Sequence, residues 1–378
     1  MICAATAAEW RPLCDFYCLG TSAPPLTPPP LYREKKVEAL FSDTVSLFHD
    51  RDFVVANLEC ALTDHGESIQ KFGPPLKAPR ETAEVLRTVG VDLCTLSNNH
   101  VFDFGVKGAT DTIEALKENG IAYTGFGENY EDARKSFTVL QNGERVAIIA
   151  VCEHEYSYAL DDRMGSRPYD EYDTMEDIRA AKETHDRVIV LYHGGKEHCR
   201  YPSPRLMRLC RAMAKNGADV VLCQHSHCIG AYEQFAGCHI LYGQGNFHFV
   251  YARDGSHENP CWFTALTVGY DSKTHEITFT PICTTESGIA LAKGEEAETI
   301  LAEFEARSKT LQNGEWRIHW HEFCEEMREA YTKVISEAAL PWSSERQNAK
   351  FAHYLDCEAH TDVFRELYPT YNLTNERG

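Results

Sequence analysis

The stretch Val91–Gly105, VDLCTLSNNHVFDFG, decides the fold. Its first six residues are mostly apolar, which predicts a buried strand of a parallel sheet. Asn99 and His100 follow at the end of that strand, where open α/β sheets bind their ligands. Asp103 comes one helical turn after His100, close enough to hold the imidazole in one tautomer. The stretch therefore predicts a functional site at a strand end.

Other strands predicted in this chain also end in polar side chains that can bind or orient a metal. Taken alone, a histidine at a strand end is more often structural. Several such ends meet at one edge of a sheet, because the strands run parallel. These ends carry Asn57 and Glu59 at the end of the strand 52–58, His193 after 187–192, His225 and His227 after 218–222, and Asn246 after 239–242.

The sequence His225-Ser226-His227 is the strongest of these signals. Alternate residues of an extended chain lie on one side, so both imidazoles can share a metal or contact adjacent ions. Imidazole, carboxylate and carboxamide together suit Mn, Fe or Zn. Two ions about 3.5–4 Å apart would clamp a phosphoester and lower the pKa of a bound water. His100, held by Asp103, would then protonate the leaving oxygen.

The charge of the chain bears on its partners. The 378 residues include 57 acidic and 37 basic ones, a net charge of −20. Nucleic acid and anionic membrane are therefore disfavoured as partners, because Lys and Arg carry phosphate contacts. The sequence has no membrane-length apolar segment and no signal-peptide pattern. Its 15 cysteines are scattered and often lie in apolar runs, which predicts a cytoplasmic protein with reduced thiols.

Helical patterns alternate with the strands, which predicts an α/β fold. A first strand is expected at 15–19, ending at Gly20-Thr21-Ser22, and an antiparallel pair at 262–270 and 276–281. The Gly- and Pro-containing segment 63–79 is a loop long enough to cover a site. Beyond residue 294 the pattern is helical, and we expect one face to pack on the main domain or on a second subunit, as in a homodimer.

The blocks NLE (57–59), NNHVFDFG (98–105), TGFG (124–127), HGGKE (193–197), QHSH (224–227) and GNF (245–247) occur in this order. The chain thereby resembles the CapA family of capsule or poly-γ-glutamate biosynthesis proteins, of the calcineurin-like metallophosphoesterase superfamily. The resemblance covers residues 14–285. It implies a four-layer α/β/β/α sandwich, to which residues 294–378 add a C-terminal helical extension.

The resemblance also implies roles for the residues in these blocks. Asn99 and His100 stand where phosphoesterases have their Asn-His pair, and Glu59 stands where a bridging Asp is usual. His193, His225 and His227 match the later metal ligands, and Asn57, Glu197 and Asn246 are candidate substrate contacts.

Two positions depart from the family pattern. Thr21 follows Gly20 where the family has an Asp that is its first metal ligand, and Gly194 replaces a usual Trp. Asp15 is expected at the opposite end of the first strand from the site, so it does not replace that Asp. The site is accordingly expected to hold one or two ions.

The sequence leaves three functions open. The first is metal-dependent hydrolysis of a phosphoester or related anionic bond through a metal-bound water, with His100 and Asp103 as the acid. The second is a non-catalytic, accessory role in poly-γ-glutamate or capsule biosynthesis. The third is hydrolysis of a γ-glutamyl amide by the same chemistry. The expected partner is a small anionic or γ-glutamyl substrate.

Overall fold

Buried apolar runs form the strands, and amphipathic segments form the helices between them. A computed structural model describes residues 9–17, 29–49, 51–141, 143–249, 263–285 and 287–369. The strands, in chain order, are β1 (Glu9–Tyr17), β2 (Phe53–Leu58), β3 (Ala61–Leu62), β4 (Lys77–Ala78), β5 (Leu93–Thr95), β6 (Ala122–Thr124), β7 (Phe126–Gly127), β8 (Phe137–Gln141), β9 (Glu144–Cys152), β10 (Gly165–Ser166), β11 (Arg187–His193), β12 (Val220–Gln224), β13 (Tyr232–Phe235), β14 (Cys238–Leu241), β15 (Asn246–Phe249), β16 (Thr264–Asp271), β17 (Glu276–Thr284) and β18 (Ile289–Leu291).

The helices include short turns near the start of the chain and long helices near its end. They are α1 (Pro29–Arg33), α2 (Val37–Phe41), α3 (Ser46–His49), α4 (Thr82–Val89), α5 (Gly105–Glu118), α6 (Tyr130–Ala133), α7 (Glu171–Thr184), α8 (Pro204–Lys215), α9 (Gly294–Asn313), α10 (Trp316–Ala338), α11 (Glu345–Asp356) and α12 (Glu358–Leu367). None of these helices combines the length and the apolar character that a bilayer crossing requires.

Two large sheets carry most of the strands. The first has the order β18-β17-β16-β1-β2-β5-β6, with β15 also paired to β1. The second has the order β13-β14-β12-β11-β9-β8. Strands β1, β2, β5 and β6 run parallel in the first sheet, and β9, β11, β12 and β14 run parallel in the second. The fold is therefore mixed α/β, and each sheet presents a row of carboxyl strand ends.

Successive residues of a strand face opposite sides of its sheet, so each strand contributes side chains to two parts of the core. In β11, Ile189 and Leu191 pack in an apolar cluster with Val55 and Leu93 of the first sheet. The intervening residues of β11 pack instead against helices, in a cluster that includes Met207 of α8. A third cluster joins the other face of the first sheet to helices α2 to α5. Both faces of β11 are thus covered by apolar side chains.

The helix α10 packs into the cluster that contains α8, because its face bearing Trp316, Trp320 and Tyr331 is buried there. A buried ionic network holds α12 nearby. Arg205 of α8 contacts Glu153, and its Nε lies 2.9 Å from Asp362 of α12. Through these contacts the C-terminal helices are attached to the segment that follows β9.

The first strand differs from its prediction. It begins at Glu9 rather than at residue 15 and is described as far as Tyr17. Residues 18 and 19 of the predicted strand, and Thr21, lie outside the described residues. Residue 262 of the predicted antiparallel pair also lies outside them, while β16 and β17 pair antiparallel. The register places Asp15 opposite Asn57 of β2 and Asn246 of β15. The expectation that Asp15 lies far from the site was wrong, because the strand begins at Glu9, earlier than its apolar residues suggest.

Candidate metal centre

Parallel strands of both sheets bring the predicted side chains to one edge of the molecule. The residues follow or end β2, β5, β11 and β12, and one begins β15. Each strand end delivers one or two polar side chains because its apolar residues are fixed in the core below. The side chains are Asn57, Glu59, Asn99, His193, His225, His227 and Asn246, and all of them are buried.

The ligand atoms of Glu59, His193 and His225 all lie within 4.8 Å of one another. The Nε2 atom of His193 is 3.4 Å from Oε1 of Glu59 and 3.2 Å from Nδ1 of His225. It also lies 3.1 Å from Oδ1 of Asn99. Two ligand atoms that bind one ion at about 2.1 Å lie about 3 to 3.5 Å apart. Glu59, His193 and His225 therefore have the spacing of ligands to a single ion, and Asn99 adjoins them through His193.

The donor set also fits a divalent transition metal. One carboxylate, two imidazoles and a carboxamide oxygen match the ligands that Mn, Fe and Zn accept. Burial of a carboxylate is costly without a compensating cation. We conclude that the residues present fit such an ion.

Asn57 supports the cluster. Its Nδ2 donates to Oε2 of Glu59 at 3.2 Å and lies 3.4 Å from Nδ1 of His193. Asn98 donates in turn to Oδ1 of Asn57 at 3.1 Å. These contacts suit a side chain that orients Glu59. That Asn57 contacts the substrate stays a prediction.

His227 is not one of the three side chains whose ligand atoms converge among the described residues. Its Nδ1 lies 2.9 Å from Oδ1 of Asn246, and its Nε2 lies 3.9 Å from Glu197. Burial lowers the pKa of His227 to about 3, so the ring is neutral. His227, Glu197 and Asn246 thus form a second set of contacts beside the cluster.

The backbone at this turn is not extended, as the alternation argument had assumed. Strand β12 ends at Gln224, and His225 and His227 have φ values of 90° and 57°. The two ring centroids are 6.2 Å apart. Such left-handed backbone costs free energy in residues with a Cβ, and it is concentrated at functional sites. The turn directs His225 toward His193 and His227 toward Asn246.

His100 and Asp103 form the predicted pair. Nδ1 of His100 lies 2.6 Å from Oδ2 of Asp103, because residues 100–104 form a turn. The Leu76 amide donates to the same oxygen at 2.7 Å. The geometry is that of an imidazole held in one orientation by a carboxylate.

Lys71 contacts both residues of this pair, and it was not among the residues predicted from the sequence. Its Nζ donates to Oδ1 of Asp103 at 2.6 Å and lies 3.2 Å from Nδ1 of His100. Burial favours the neutral form of Asp103, but Lys71 and His100 outweigh it and hold the pKa of Asp103 below its usual range. The only sequence signal was a lysine in the loop 63–79, which was expected to cover a site.

The C-terminal helices also reach the cluster. Glu155 lies 3.5 Å from Nε2 of His225 and 3.4 Å from Nε2 of His353 in α11. The His353 ring stacks on Tyr156 with 4.9 Å between ring centroids. The sequence places Glu155 just after a strand, but nothing in it names His353 as the partner.

One protein family, two curated proteins and a solved structure are similar to this chain. A model of the family described as "Bacterial capsule synthesis protein PGA_cap" matches residues 24–251. The "Capsule biosynthesis protein CapA" of Bacillus anthracis is 32% identical over 207 residues, which are 52% of this chain and 50% of that protein. A "Probable polyglutamine synthesis accessory protein" of Mycobacterium tuberculosis is 30% identical over 221 residues, 55% of this chain and 58% of that protein.

The chain thus spans about half the length of the curated relatives it matches. Among solved structures, a hypothetical protein from Thermus thermophilus aligns with a TM-score of 0.42 and 14% identity. That alignment covers 75% of this chain and 100% of the other.

Proposed function

This chain belongs to the family of bacterial capsule synthesis proteins, and from that premise we propose that it is a metal-dependent hydrolase of a phosphoester or related anionic bond. The convergence of Glu59, His193 and His225 within 4.8 Å carries the proposal. Packing alone does not require a buried carboxylate and two imidazoles with their ligand atoms facing one another.

Glu59, Asn99, His193 and His225 would hold the ion, which we propose to be Mn, Fe or Zn. When bound, such an ion supplies a Lewis acid and lowers the pKa of a water at the site. His227 is the candidate ligand for a second ion.

The chain's own residues supply the proton chemistry. We propose that His100 donates a proton to the leaving group, while Asp103 fixes the ring through its Nδ1. Lys71 places a positive charge 3.2 Å from the same ring nitrogen, which favours negative charge on a nearby substrate. Asn57 keeps Glu59 oriented through its Nδ2.

An accessory, non-catalytic role in capsule or poly-γ-glutamate synthesis is the second candidate. The names of the two relatives favour it, since one is a capsule biosynthesis protein and the other a synthesis accessory protein. Hydrolysis of a γ-glutamyl amide is a third candidate that combines the first two. It would use the same metal centre, and its substrate would belong to poly-γ-glutamate synthesis.

Other parts of the proposal concern architecture and setting. The three apolar clusters support a four-layer α/β/β/α arrangement of residues 14–285, with 294–378 as a helical extension. Exposed Ile318 and Ile335 of α10 are available for a homodimer contact. Interior thiols such as Cys94 and Cys223 accord with a cytoplasmic location. We propose a small anionic or γ-glutamyl substrate rather than nucleic acid or membrane, because the net charge of −20 disfavours phosphate-rich partners.

Metal analysis and hydrolysis assays test the proposal together. The protein is purified with added Mn, and bound metal is measured by plasma mass spectrometry. An aryl phosphodiester and a γ-glutamyl anilide are then offered as substrates. We expect bound metal and turnover in the wild type, and loss of both in His225→Ala.

The control is His49→Ala, which changes an exposed histidine in α3 and should leave both measurements unchanged. Bound metal without turnover of either substrate would favour the accessory role. Turnover that survives His225→Ala would exclude this cluster as the site.

A further inference from the structure

A cavity of about 300 Å³ lies beside the metal centre and is not part of the cluster described above. Its walls come from the loop 63–79, the turn after β5, the segment after β9 and the end of α11. The lining side chains include Gln70, Phe102, Tyr156, Tyr158, Arg163 and Asp356. Its volume is at the lower end of the range for small-molecule sites, so it suits a ligand of about one amino-acid residue.

Arg163 is the positive group of this cavity. Its Nη2 donates to the carbonyl oxygens of Tyr156 and Tyr158, which fixes the guanidinium in place. Its Nε–H is buried and has no acceptor in the part of the chain that the structure describes. No ion pair or hydrogen bond of its Nη1 occurs there either. A fixed guanidinium with uncommitted donors favours a carboxylate ligand.

Asp356 is the negative group, and it ends α11. One of its oxygens accepts a hydrogen bond from the Tyr158 hydroxyl at 3.0 Å. Asp356 makes no ion pair with any described residue, Arg163 included. Tyr158 contacts both charged groups, since the Arg163 guanidinium lies 5.2 Å from its ring centroid and its hydroxyl donates to Asp356. The cavity therefore presents an unpaired cation and an unpaired anion to the same space.

We propose that this cavity binds the zwitterionic amino-terminal residue of a γ-glutamyl chain. Arg163 would bind its α-carboxylate, and Asp356 would bind its ammonium. A phosphate or another simple anion fits less well, because Asp356 would repel it. A simple cation is disfavoured by Arg163 for the same reason.

The position of the cavity connects it to the reaction, and this connection rests on the function proposed above. Phe102 belongs to the turn that holds His100 and Asp103. The Tyr156 hydroxyl accepts from the Phe72 amide at 2.9 Å, and Lys71 lies 5.1 Å from the Tyr156 ring. The adjacent Glu155 is 3.5 Å from His225. A chain end in this cavity would thus lie against the wall that the cavity shares with the metal centre.

Calorimetric titration of the full chain tests the inference. The probes are L-glutamate, γ-L-glutamyl-L-glutamate, glutarate, which lacks the ammonium group, and inorganic phosphate. We expect glutamate and the dipeptide to bind with millimolar or better affinity, and glutarate and phosphate to bind much more weakly. Arg163→Met and Asp356→Asn should each weaken glutamate binding about tenfold or more. The control Arg346→Met, at an exposed position of α11, should leave binding unchanged.

Three outcomes would overturn the inference: no saturable binding of glutamate or dipeptide, equal binding of glutarate and glutamate, or unchanged affinity in Asp356→Asn. Asp356 is exposed, so its variant is expected to fold even where Arg163→Met does not. The titrations are repeated on His225→Ala, in which turnover is expected to be lost. In the wild type, dipeptide binding without turnover of any substrate would leave the cavity assigned and refute the hydrolase. Turnover without amino-acid binding would refute the ligand proposed for the cavity and leave the hydrolase supported.

Discussion

Two groups of histidines lie on either side of Glu155, and they differ in what faces their ring nitrogens. On one side, His193 and His225 direct nitrogens at each other and at Glu59. On the other side, His353 and His360 present ring faces to aromatic neighbours. The His360 ring stacks on Tyr354 with 3.8 Å between centroids.

The second group already has its hydrogen-bond and stacking partners within the protein. Nδ1 of His360 lies 2.6 Å from the Tyr331 hydroxyl, and burial lowers the pKa of both His353 and His360, so they stay neutral. The contrast shows that clustering of histidines does not by itself indicate a metal. The surrounding donors decide. In the first group, two imidazoles and a carboxylate bring their ligand atoms within 4.8 Å of one another, whereas in the second group His353 faces Glu155 and His360 faces a hydroxyl.

The largest expected difference between the two groups is in metal content. His225→Ala removes one of the ligands and should reduce bound metal to background, because even residues behind the ligands change affinity by about 10–100-fold. His353→Ala should keep the full metal content. Plasma mass spectrometry of both proteins, purified identically, makes the comparison. Equal loss of bound metal in the two variants would show that both groups of histidines support metal binding.

His100 sharpens the comparison, since it faces a carboxylate but lies outside the cluster. His100→Asn should lower kcat by about 10²- to 10⁴-fold, the range for loss of a general acid, with a smaller change in KM. Steady-state kinetics on the substrate turned over by the wild type measure this. Metal content should be unchanged; its loss would show that His100 supports the ligands rather than the proton transfer.

A further buried histidine, His248, gives a prediction for the stability of the protein at acidic pH. Burial lowers the pKa of His248 to about 4, with Nδ1 beside the Tyr32 hydroxyl and Nε2 beside the Leu40 carbonyl. Its folded pKa is below the unfolded value of about 6.5. Its contribution to stability is therefore present above pH 6.5 and is lost as the pH falls toward 4.

Between about pH 7 and pH 4.5, protonation of His248 is expected to lower the free energy of unfolding by about 2 to 3 kcal/mol. Urea unfolding at the two pH values, for the wild type and His248→Asn, measures it. The variant should lose less stability on acidification than the wild type. An equal loss would contradict the neutral, buried ring.

The smallest effect is expected at Tyr331. Tyr331→Phe removes the hydroxyl beside Nδ1 of His360 and should lower the free energy of unfolding by about 1 to 2 kcal/mol. Metal content and kcat should not change, because the second group serves packing. Tyr172→Phe, at a side chain that is 82% exposed, is the matched control. A loss of metal in Tyr331→Phe would show that the two groups of histidines belong to one metal site.

The convergence at the strand ends was predictable from local patterns. The apolar run before His193 predicts a strand over 187–192, and β11 spans Arg187–His193. The same holds for Glu59 after β2 and for His225 after β12. Parallel strands bring such ends together whatever their separation in the chain. The chemical roles of these residues stay predictions.

The first strand was not predictable in the same way. Arg11 and Pro12 interrupt its apolar pattern, and proline is disfavoured inside a sheet because it cannot donate to the ladder. The register with β2 shifts between Pro12 and Asp15. Pairing with neighbours on both sides fixes this strand, and that information is not local.

Lys71 and His353 were missed for a related reason. Lys71 meets Asp103 from a loop, and His353 meets Glu155 from a helix almost 200 residues later in the chain. A lysine in a loop or a histidine on a helix has no periodic pattern that names its partner. Such contacts are set by how whole elements dock, which the spacing of residues does not reveal.

The ionic network of Glu153, Arg205 and Asp362 has a consequence for how such a chain can change over evolutionary time. The match to the family ends at residue 251, yet Arg205 lies within it and Asp362 beyond it. A descendant that lost α12 would retain Arg205 and Glu153 with one carboxylate removed and the Ala359 amide no longer bonded to Glu153. Positions 153, 205 and 362 are therefore expected to be replaced together, as a set inherited or discarded with the last helix.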